Sequence, residues 1–233
     1  MKILARVIGA TVEERAYSGP FVAFLALLGL SAVVHSVFEG QAFWMASEPN
    51  YWVFPLQVIV PTGLLLHYRR YYEDLRPRRI SWTIAIGLVA LALWISPQWL
   101  LGFGPRLKGF NPEYFGPGAP YAVNLTVRLV RAVLVVPFVE ELFWRGFLLR
   151  FLIDSNFTKV PFGSWSLYSF TAVVVGFTLE HQPADYPMAA LTGALYNVVA
   201  YRSRSLGSCI LAHAVTNLGL CMYVLWTRQW GFW

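Results

Sequence analysis

The chain has 233 residues, of which 57% are hydrophobic and 13% are charged. Soluble domains average roughly 45–50% apolar and 25% charged residues, so this composition excludes a water-soluble globule and indicates a polytopic membrane protein. The formal net charge is +6, but the basic residues stand in short clusters between apolar runs. Such clusters are typical of topology signals and argue against a nucleic-acid partner.

The N-terminal segment, Met1 to Tyr17, mixes charged and apolar residues and has no small-residue cleavage site after a short apolar core. We therefore expect a retained amphipathic segment and no cleaved signal peptide. Both cysteines, Cys209 and Cys221, lie in one late apolar run, roughly 18 Å apart along a helix. That separation is too long for a disulfide, so no cysteine-based redox or metal site is expected.

Apolar runs of helical length dominate the chain. Their approximate limits are 20–38, 51–68, 80–101, 121–152, 165–180, 187–201 and 207–227. Because about 20 apolar residues cross the hydrocarbon core as a helix, the pattern predicts an all-α, polytopic integral membrane helix bundle. We expect about seven transmembrane helices, with eight as the alternative, in a single membrane domain, 1–233. The segment Gly102 to Pro120 is rich in glycine and proline and is expected to be a loop outside the bundle.

The basic residues predict the orientation, since lysine and arginine accumulate in cytoplasmic loops. With the N-terminus inside, the inner segments hold Lys2, Arg6, Arg15, Arg69, Arg70, Arg76, Arg78, Arg79, Arg150, Lys159, Arg202 and Arg204. The outer segments hold Arg106, Lys108 and Arg228. This asymmetry predicts a cytoplasmic N-terminus and an external C-terminus.

Ionisable residues within the fourth run need a partner, a cavity or a function, because charge is expensive inside a membrane. Glu140 lies ten residues before Arg150, about 15 Å along a helix, and hence near mid-depth. Glu141 and Arg145 are four residues apart and share a helical face, which predicts an ion pair that leaves Glu140 free. Pro137, one turn earlier, removes a backbone donor and is expected to free a carbonyl near the carboxylate.

A structural interpretation of the same residues remains open. In it, both acids only form ion pairs with arginines, for example with Arg128 or Arg131 of the same helix.

Two later runs carry further polar groups. His181 follows Phe177 at the end of one run, and His213 and Asn217 lie four residues apart in the last. Each alone is compatible with helix capping or with hydrogen bonds between helices. Together with Glu140 they offer a carboxylate, two imidazoles and an amide, which are the parts of a hydrolytic site without a serine or cysteine nucleophile. A carboxylate and an imidazole can activate water, and an amide with a second imidazole can stabilise an oxyanion.

Three motifs follow one another on these runs: Glu140-Glu141-x-x-x-Arg145, Phe177-x-x-x-His181 and His213-x-x-x-Asn217. Their order resembles the CPBP family of CAAX proteases and bacteriocin-processing enzymes. That family is similar to the Ras-converting endopeptidases and comprises intramembrane glutamic proteases. The string from Val135 to Arg145 further resembles the bacterial CAAX prenyl protease-related proteins that are associated with exosortase systems. The motifs cover about 128–220, within a catalytic core of about 121–227.

The resemblance implies roles for six residues. Glu140 and His181 would activate the attacking water, His213 and Asn217 would stabilise the oxyanion, and Glu141 and Arg145 would support the site. It implies no cofactor, and a membrane-anchored or lipidated protein substrate that is cleaved near its C-terminus within the lipid bilayer. It also implies a multi-pass protein of the bacterial inner (plasma) membrane, with an exosortase-system protein as a candidate partner.

Alternatives stay open at this point. Glutamate and two histidines could bind zinc, although no H-E-x-x-H motif is present. The same residues could relay protons in a proton-coupled transporter, or the chain could be a non-catalytic scaffold for an exosortase-type partner. Glu180 could orient His181 or simply face water. If the fifth run crosses outward from Trp165, His181 lies about 24 Å along it and above the depth of Glu140. Helix tilt, a kink at Pro137 or a different helix boundary must then account for this difference in depth.

Overall fold

A computed structural model describes residues 10–38 and 43–233, and the described chain is helical, without a β-strand. Eight helices follow in order: α1 Val12–Val37, α2 Trp44–Ser47, α3 Asn50–Tyr68, α4 Ile80–Leu100, α5 Ala119–Phe151, α6 Leu167–Leu179, α7 Tyr186–Ser203 and α8 Leu206–Thr227. The predicted all-α class is confirmed. Lys2 and Arg6, with the first part of the predicted amphipathic segment, lie outside the described residues.

Seven of these helices, all but the four-residue α2, follow the seven apolar runs. Four of them, α1, α4, α5 and α8, are long and apolar enough to cross a membrane, and α6 is a shorter apolar helix. Large apolar side chains such as Val22, Ile59, Leu88 and Met222 are exposed on the helices, as expected for surfaces that face lipid. The chain is an integral membrane helix bundle. The count of seven or eight crossings stays a prediction.

Hydroxyl side chains fix where several helices begin. Thr11 and Glu14 form a reciprocal capping box at the start of α1: the Glu14 N–H donates to Thr11 Oγ1 (3.1 Å) and the Thr11 N–H donates to Glu14 Oε2 (2.8 Å). Ser166 and Ser205 accept from backbone N–H groups at the starts of α6 and α8. These caps satisfy backbone donors that have no partner within their helix.

Helix α5 is the centre of the bundle and contacts α1, α3, α6 and α8. Around it, α1 packs on α3, α4 on α8, and α6 on α7. The buried core lies between these pairs and includes Phe24, Val139, Leu142, Phe177 and Val199. The polar residues of α5 are therefore enclosed by the other helices.

Two π-helical turns, Arg131–Val135 and Leu142–Leu148, interrupt α5 on either side of the two glutamates. In the first turn the Val136 N–H donates to the Arg131 carbonyl, five residues earlier. With the same spacing, the N–H of position 137 would donate to the Ala132 carbonyl. Pro137 has no N–H, which leaves the Ala132 carbonyl without that helical partner. The amide Nδ2 of Asn217 donates to this carbonyl at 2.8 Å. The freed carbonyl expected from Pro137 thus joins α5 to α8.

The two ends of the bundle are closed by different loops. At one end, Ser205 Oγ donates to the Arg76 carbonyl (2.7 Å), and Arg150 forms an ion pair with Glu73 (3.1 Å). At the other end, Arg106 pairs with Asp185. The first end carries most of the basic residues that predict the cytoplasmic side.

The long loop after α4 is largely exposed, but it is not simply external to the bundle. Phe110 is buried against Tyr51 and Phe54 of α3. The Arg106 carbonyl accepts from the Gly231 N–H at 2.9 Å, so the loop and the C-terminal residues cover the same end together. Glycine and proline predicted the irregular backbone, whereas these distant contacts left no local signal.

The close packing of α4 on α8 generates a stability prediction. A Cβ at Gly87 would lie 2.6 Å from the Ala212 carbonyl oxygen, a backbone atom next to His213. We expect Gly87→Ala to lower the free energy of unfolding by about 1–3 kcal/mol, because backbone must move to admit the methyl group. Thermal unfolding of the purified protein in detergent measures the effect.

Gly63→Ala is the matched control, since a Cβ there meets no atom within 4 Å. It should be as stable as the wild type or more so, because alanine is the better helix former. Equal melting temperatures for the two variants would contradict the packing of α4 on α8 described above.

Candidate active site

Glu140, His181, His213 and Asn217 all line one cavity of about 490 Å³ between the helices. Glu140 comes from the middle of α5, His181 from just beyond the end of α6, and the other two from α8. Glu140 and His213 are more than nine-tenths buried. The sequence motifs, which are up to 77 positions apart in the chain, therefore meet in one place.

Arg145 organises the interior beside this cavity. It is fully buried, and its guanidinium donates to three acceptors: Glu141 Oε1 (3.0 Å), Asn197 Oδ1 (3.1 Å) and the Gly193 carbonyl (3.0 Å). The rings of Phe177 and Tyr196 flank it at 4.8 and 5.3 Å. The ion pair expected between Glu141 and Arg145 is present, and it also fastens α5 to α7.

Glu141 also holds His213. The Glu141 Oε1 atom lies 2.9 Å from His213 Nδ1, while His213 Nε2 lies 3.9 Å from Glu140 Oε2. Since the carboxylate of Glu141 accepts hydrogen bonds, we assign the hydrogen to Nδ1 of the imidazole. The Nε2 atom is then directed towards Glu140 and the cavity. The adjacent glutamates thus contact the two nitrogens of one ring.

His181 is oriented by its own helix. Its Nδ1 lies 2.7 Å from the Phe177 carbonyl oxygen, and because a carbonyl can only accept, Nδ1 carries the hydrogen. Nε2 is therefore the nitrogen that can accept a proton or a hydrogen bond. The imidazole ring lies between Phe177 and Trp94, with centroids 4.9 and 5.4 Å away. Phe177 of the motif thus fixes both the tautomer and the ring position.

Glu180 is a further acid in the cavity that the motifs did not single out. Its Oε2 accepts from the indole Nε1 of Trp144 at 2.9 Å, and its carboxyl group interacts with that of Glu140. Its partly exposed side chain lines the cavity with Glu140. The available signal was an acid placed directly before His181 at the end of an apolar run, which alone does not reveal the direction of its side chain.

The Trp144–Glu180 hydrogen bond also settles the question of depth. Trp144 lies one turn beyond Glu140 on α5, so the bond brings the end of α6 level with the middle of α5. Gly176 makes this approach possible, because a Cβ there would lie 2.7 Å from the Trp144 ring. His181 therefore reaches the cavity of Glu140 despite its distance along α6.

The alternative in which both glutamates pair with Arg128 or Arg131 does not describe the structure. Within the described ranges, neither arginine forms an ion pair, and Arg131 Nε instead donates to Gln57 Oε1 at 2.7 Å. Glu141 pairs with Arg145, while Glu140 is free of any arginine ion pair among these residues. Asn197 and Tyr196 make hydrogen bonds between helices, as expected.

The zinc alternative requires several donor side chains that converge on one point. Among residues 10–38 and 43–233, no three His, Cys, Asp or Glu side chains are arranged to hold a metal ion. The glutamate and histidine side chains around Glu140 instead form hydrogen bonds and close contacts with one another.

A family model described as type II CAAX prenyl endopeptidase, Rce1-like, matches residues 122–219. The chain carries an Rce1-like domain. This match confirms the resemblance to the CPBP family and includes all seven named residues of the three motifs. No curated protein and no solved structure matches the chain. Over residues 122–219 the chain is similar to the Rce1-like endopeptidases, and this similarity supports a CAAX-type intramembrane protease, a class that acts on membrane-anchored substrates within the bilayer.

Arg145 generates a prediction for the Rce1-like domain. Arg145→Lys keeps the charge, but a single ammonium cannot reproduce the fork that reaches three acceptors on two helices. We expect the free energy of unfolding to fall by about 2–4 kcal/mol, because buried acceptors lose their donors. The exposed Arg202→Lys is the control and should unfold as the wild type does. If both variants unfold alike in detergent, the fork of Arg145 is not needed for stability.

Proposed function

We propose that the chain is an intramembrane endopeptidase of the glutamic type, in which Glu140 is the general base. One observation carries this proposal: the buried Glu140 carboxylate, free of any arginine ion pair in the described chain, faces the His213 imidazole in a cavity that also holds His181, Glu180 and Asn217. This arrangement places a base, proton carriers and an amide donor around one space large enough for a peptide bond.

In the proposed reaction a water molecule lies between Glu140 and Nε2 of His181. Glu140 takes one proton from the water, and the oxygen attacks the carbonyl carbon of the substrate. The resulting oxyanion accepts hydrogen bonds from the Asn217 amide and from His213 in its protonated form, which the Glu141 carboxylate stabilises from the Nδ1 side. The carbon–nitrogen bond then breaks, and the leaving amine takes a proton from the site.

Glu180 supplies a route for that last proton. Two carboxyl groups in contact are most stable when they share one proton, because two adjacent negative charges repel. In this proposal Glu140 and Glu180, whose carboxyl groups interact, act as such a pair, and Trp144 donates a hydrogen bond to Glu180. The proton that Glu140 takes from water can therefore pass between the carboxyls to the leaving amine.

The substrate in this proposal is a lipidated or membrane-anchored protein, cleaved near its C-terminus. The cavity is bounded on one side by Leu25 and Leu28 of α1, both partly exposed on the outer surface of the bundle. With the predicted cytoplasmic N-terminus, the end covered by Arg106 and Asp185 lies on the opposite side of the membrane. A bacterial inner membrane and an exosortase-system partner stay predictions.

Replacing the base tests the mechanism. Glu140→Gln and His181→Ala should each reduce kcat for cleavage of a prenylated peptide by about 10²–10⁴-fold, because the attacking water then lacks its proton acceptor or its second hydrogen-bond partner. Glu113→Gln, in the exposed loop, is the control and should retain full activity. Circular dichroism and thermal unfolding should show that all three variants are folded.

Wild-type activity in both site variants would reject this mechanism. Proton flux into proteoliposomes that requires Glu140, without any cleavage, would instead support a transporter.

Metal independence is a separate part of the proposal. Since Glu140 and His181 activate the water without a metal ion in this mechanism, the wild-type protein should cleave the same peptide at an unchanged rate after dialysis against EDTA or 1,10-phenanthroline. Loss of activity that added Zn²⁺ restores would contradict the glutamic mechanism and favour the zinc alternative.

A further inference from the structure

Two buried arginines of α5, Arg128 and Arg131, line the same cavity as Glu140. They are only 6% and 8% exposed, yet neither forms an ion pair with a carboxylate of residues 10–38 or 43–233. Arg145 and Arg150, the other buried arginines of this helix, each have a carboxylate partner. The cavity therefore contains positive charge that the described chain does not compensate by an ion pair.

Aromatic rings hold both guanidinium groups. Arg131 lies 4.3 Å from the Phe54 ring centroid and 4.8 Å from that of Phe24, and Arg128 lies 5.4 Å from the rings of Phe54 and Trp233. The ring faces attract the guanidinium cations but do not neutralise their charge. Arg131 Nε donates to Gln57 Oε1, and the other N–H groups at the edges of the two guanidinium groups can donate to an anion. The Nε atom of Arg128 is buried and has no hydrogen-bond partner among the described residues.

The two positive charges also repel one another. Glu140 attracts Arg131, but from beyond ion-pair distance, so the pair is not neutralised. Two unneutralised cations inside a membrane protein are costly unless an anion occupies the space between them. A bound anion would also restore the missing hydrogen bond to Arg128.

We propose that Arg128 and Arg131 bind the C-terminal carboxylate of the substrate. This inference rests on the proposed endopeptidase function and adds the group by which the substrate is recognised. The planar guanidinium group can donate two parallel hydrogen bonds to the two oxygens of a carboxylate, which the ammonium group of a lysine cannot do. A pair of arginines therefore suits a carboxylate ligand.

The position of the arginines along α5 agrees with this role. Arg131 precedes Glu140 by nine residues, about 13 Å along the helix. An extended peptide advances about 3.3–3.6 Å per residue, so about four residues cover that distance. A carboxylate bound at Arg131 therefore places a peptide bond near the substrate's C-terminus beside Glu140. The arginines thus set the distance between the cleaved bond and the chain end.

The direct test compares two farnesylated fluorescent peptides that share one sequence, a modified cysteine followed by three aliphatic residues, and differ only at the C-terminus. One ends in a free carboxylate and the other in a carboxamide. Binding is measured by fluorescence anisotropy with the full chain carrying Glu140→Gln, and cleavage with the wild type. We expect the acid to bind about 30-fold more tightly than the amide, because only the acid can form charge-assisted hydrogen bonds with the buried guanidinium groups.

The arginine itself is tested in the Glu140→Gln background. Adding Arg131→Gln should weaken binding of the acid about 30-fold and leave binding of the amide within about two-fold, since only the acid uses this charge. Arg131→Lys should restore part of the difference. Arg69→Gln, exposed at the end of α3, is the control and should change neither affinity. The acid–amide comparison in the parent chain needs no arginine substitution, so misfolding of Arg131→Gln would not remove the test.

Equal binding of the two peptides, or no binding of either, overturns the proposal. If phosphatidylglycerol stabilises the protein against heat and Arg131→Gln abolishes that stabilisation while acid and amide bind alike, the arginines hold a lipid phosphate instead. A preference for the acid in binding, without cleavage of either peptide by the wild type, supports the carboxylate site and rejects the endopeptidase. Cleavage that requires Glu140 but is equally fast with the acid and the amide supports the endopeptidase and rejects the carboxylate site.

Discussion

The buried contact between Glu141 and Arg145 is the interaction on which the rest of the site depends. Inside a membrane bundle each of these charges alone would be costly, and together they can remain only with further hydrogen bonds around them. Arg145 finds these on α7, at Asn197 and Gly193, and Glu141 finds His213 on α8. Three helices are thus joined through one ion pair, and the imidazole beside Glu140 receives its orientation from the same contact.

Helix α5 departs from regular geometry where the chemistry is proposed. A regular α-helix satisfies every internal carbonyl, but the π-helical turn at Arg131–Val135 and the missing N–H of Pro137 leave the Ala132 carbonyl to Asn217. π-Helical turns within α-helices are frequent at functional sites. The Ala132 carbonyl that lacks its helical partner is therefore the acceptor that holds the amide of Asn217 in the cavity.

Sequence patterns predicted the helices and the Glu141–Arg145 ion pair, because apolar run length and four-residue spacing are local properties. They also singled out Glu140, His181, His213 and Asn217, which the structure brings to one cavity, although the catalytic roles of these residues stay proposals. The position of Glu180 could not be predicted, since its direction depends on Trp144 of another helix and on the close approach allowed by Gly176. The exposed loop before α5 was expected outside the bundle for a similar reason: its contacts with Tyr51 and Gly231 join residues far apart in the chain.

The covering of one end of the bundle has a consequence for how molecules arrive. The Arg106–Asp185 ion pair and the residues Gly231 to Trp233 stand between the cavity and the adjacent aqueous phase, whereas Leu25 and Leu28 of α1 border it towards the hydrocarbon. A peptide dissolved in water meets a polar barrier, but a chain tethered in the bilayer can approach sideways by diffusing in two dimensions. Such an entrance would select substrates by their attachment to lipid, before the site contacts any substrate side chain. It would also protect soluble proteins from hydrolysis.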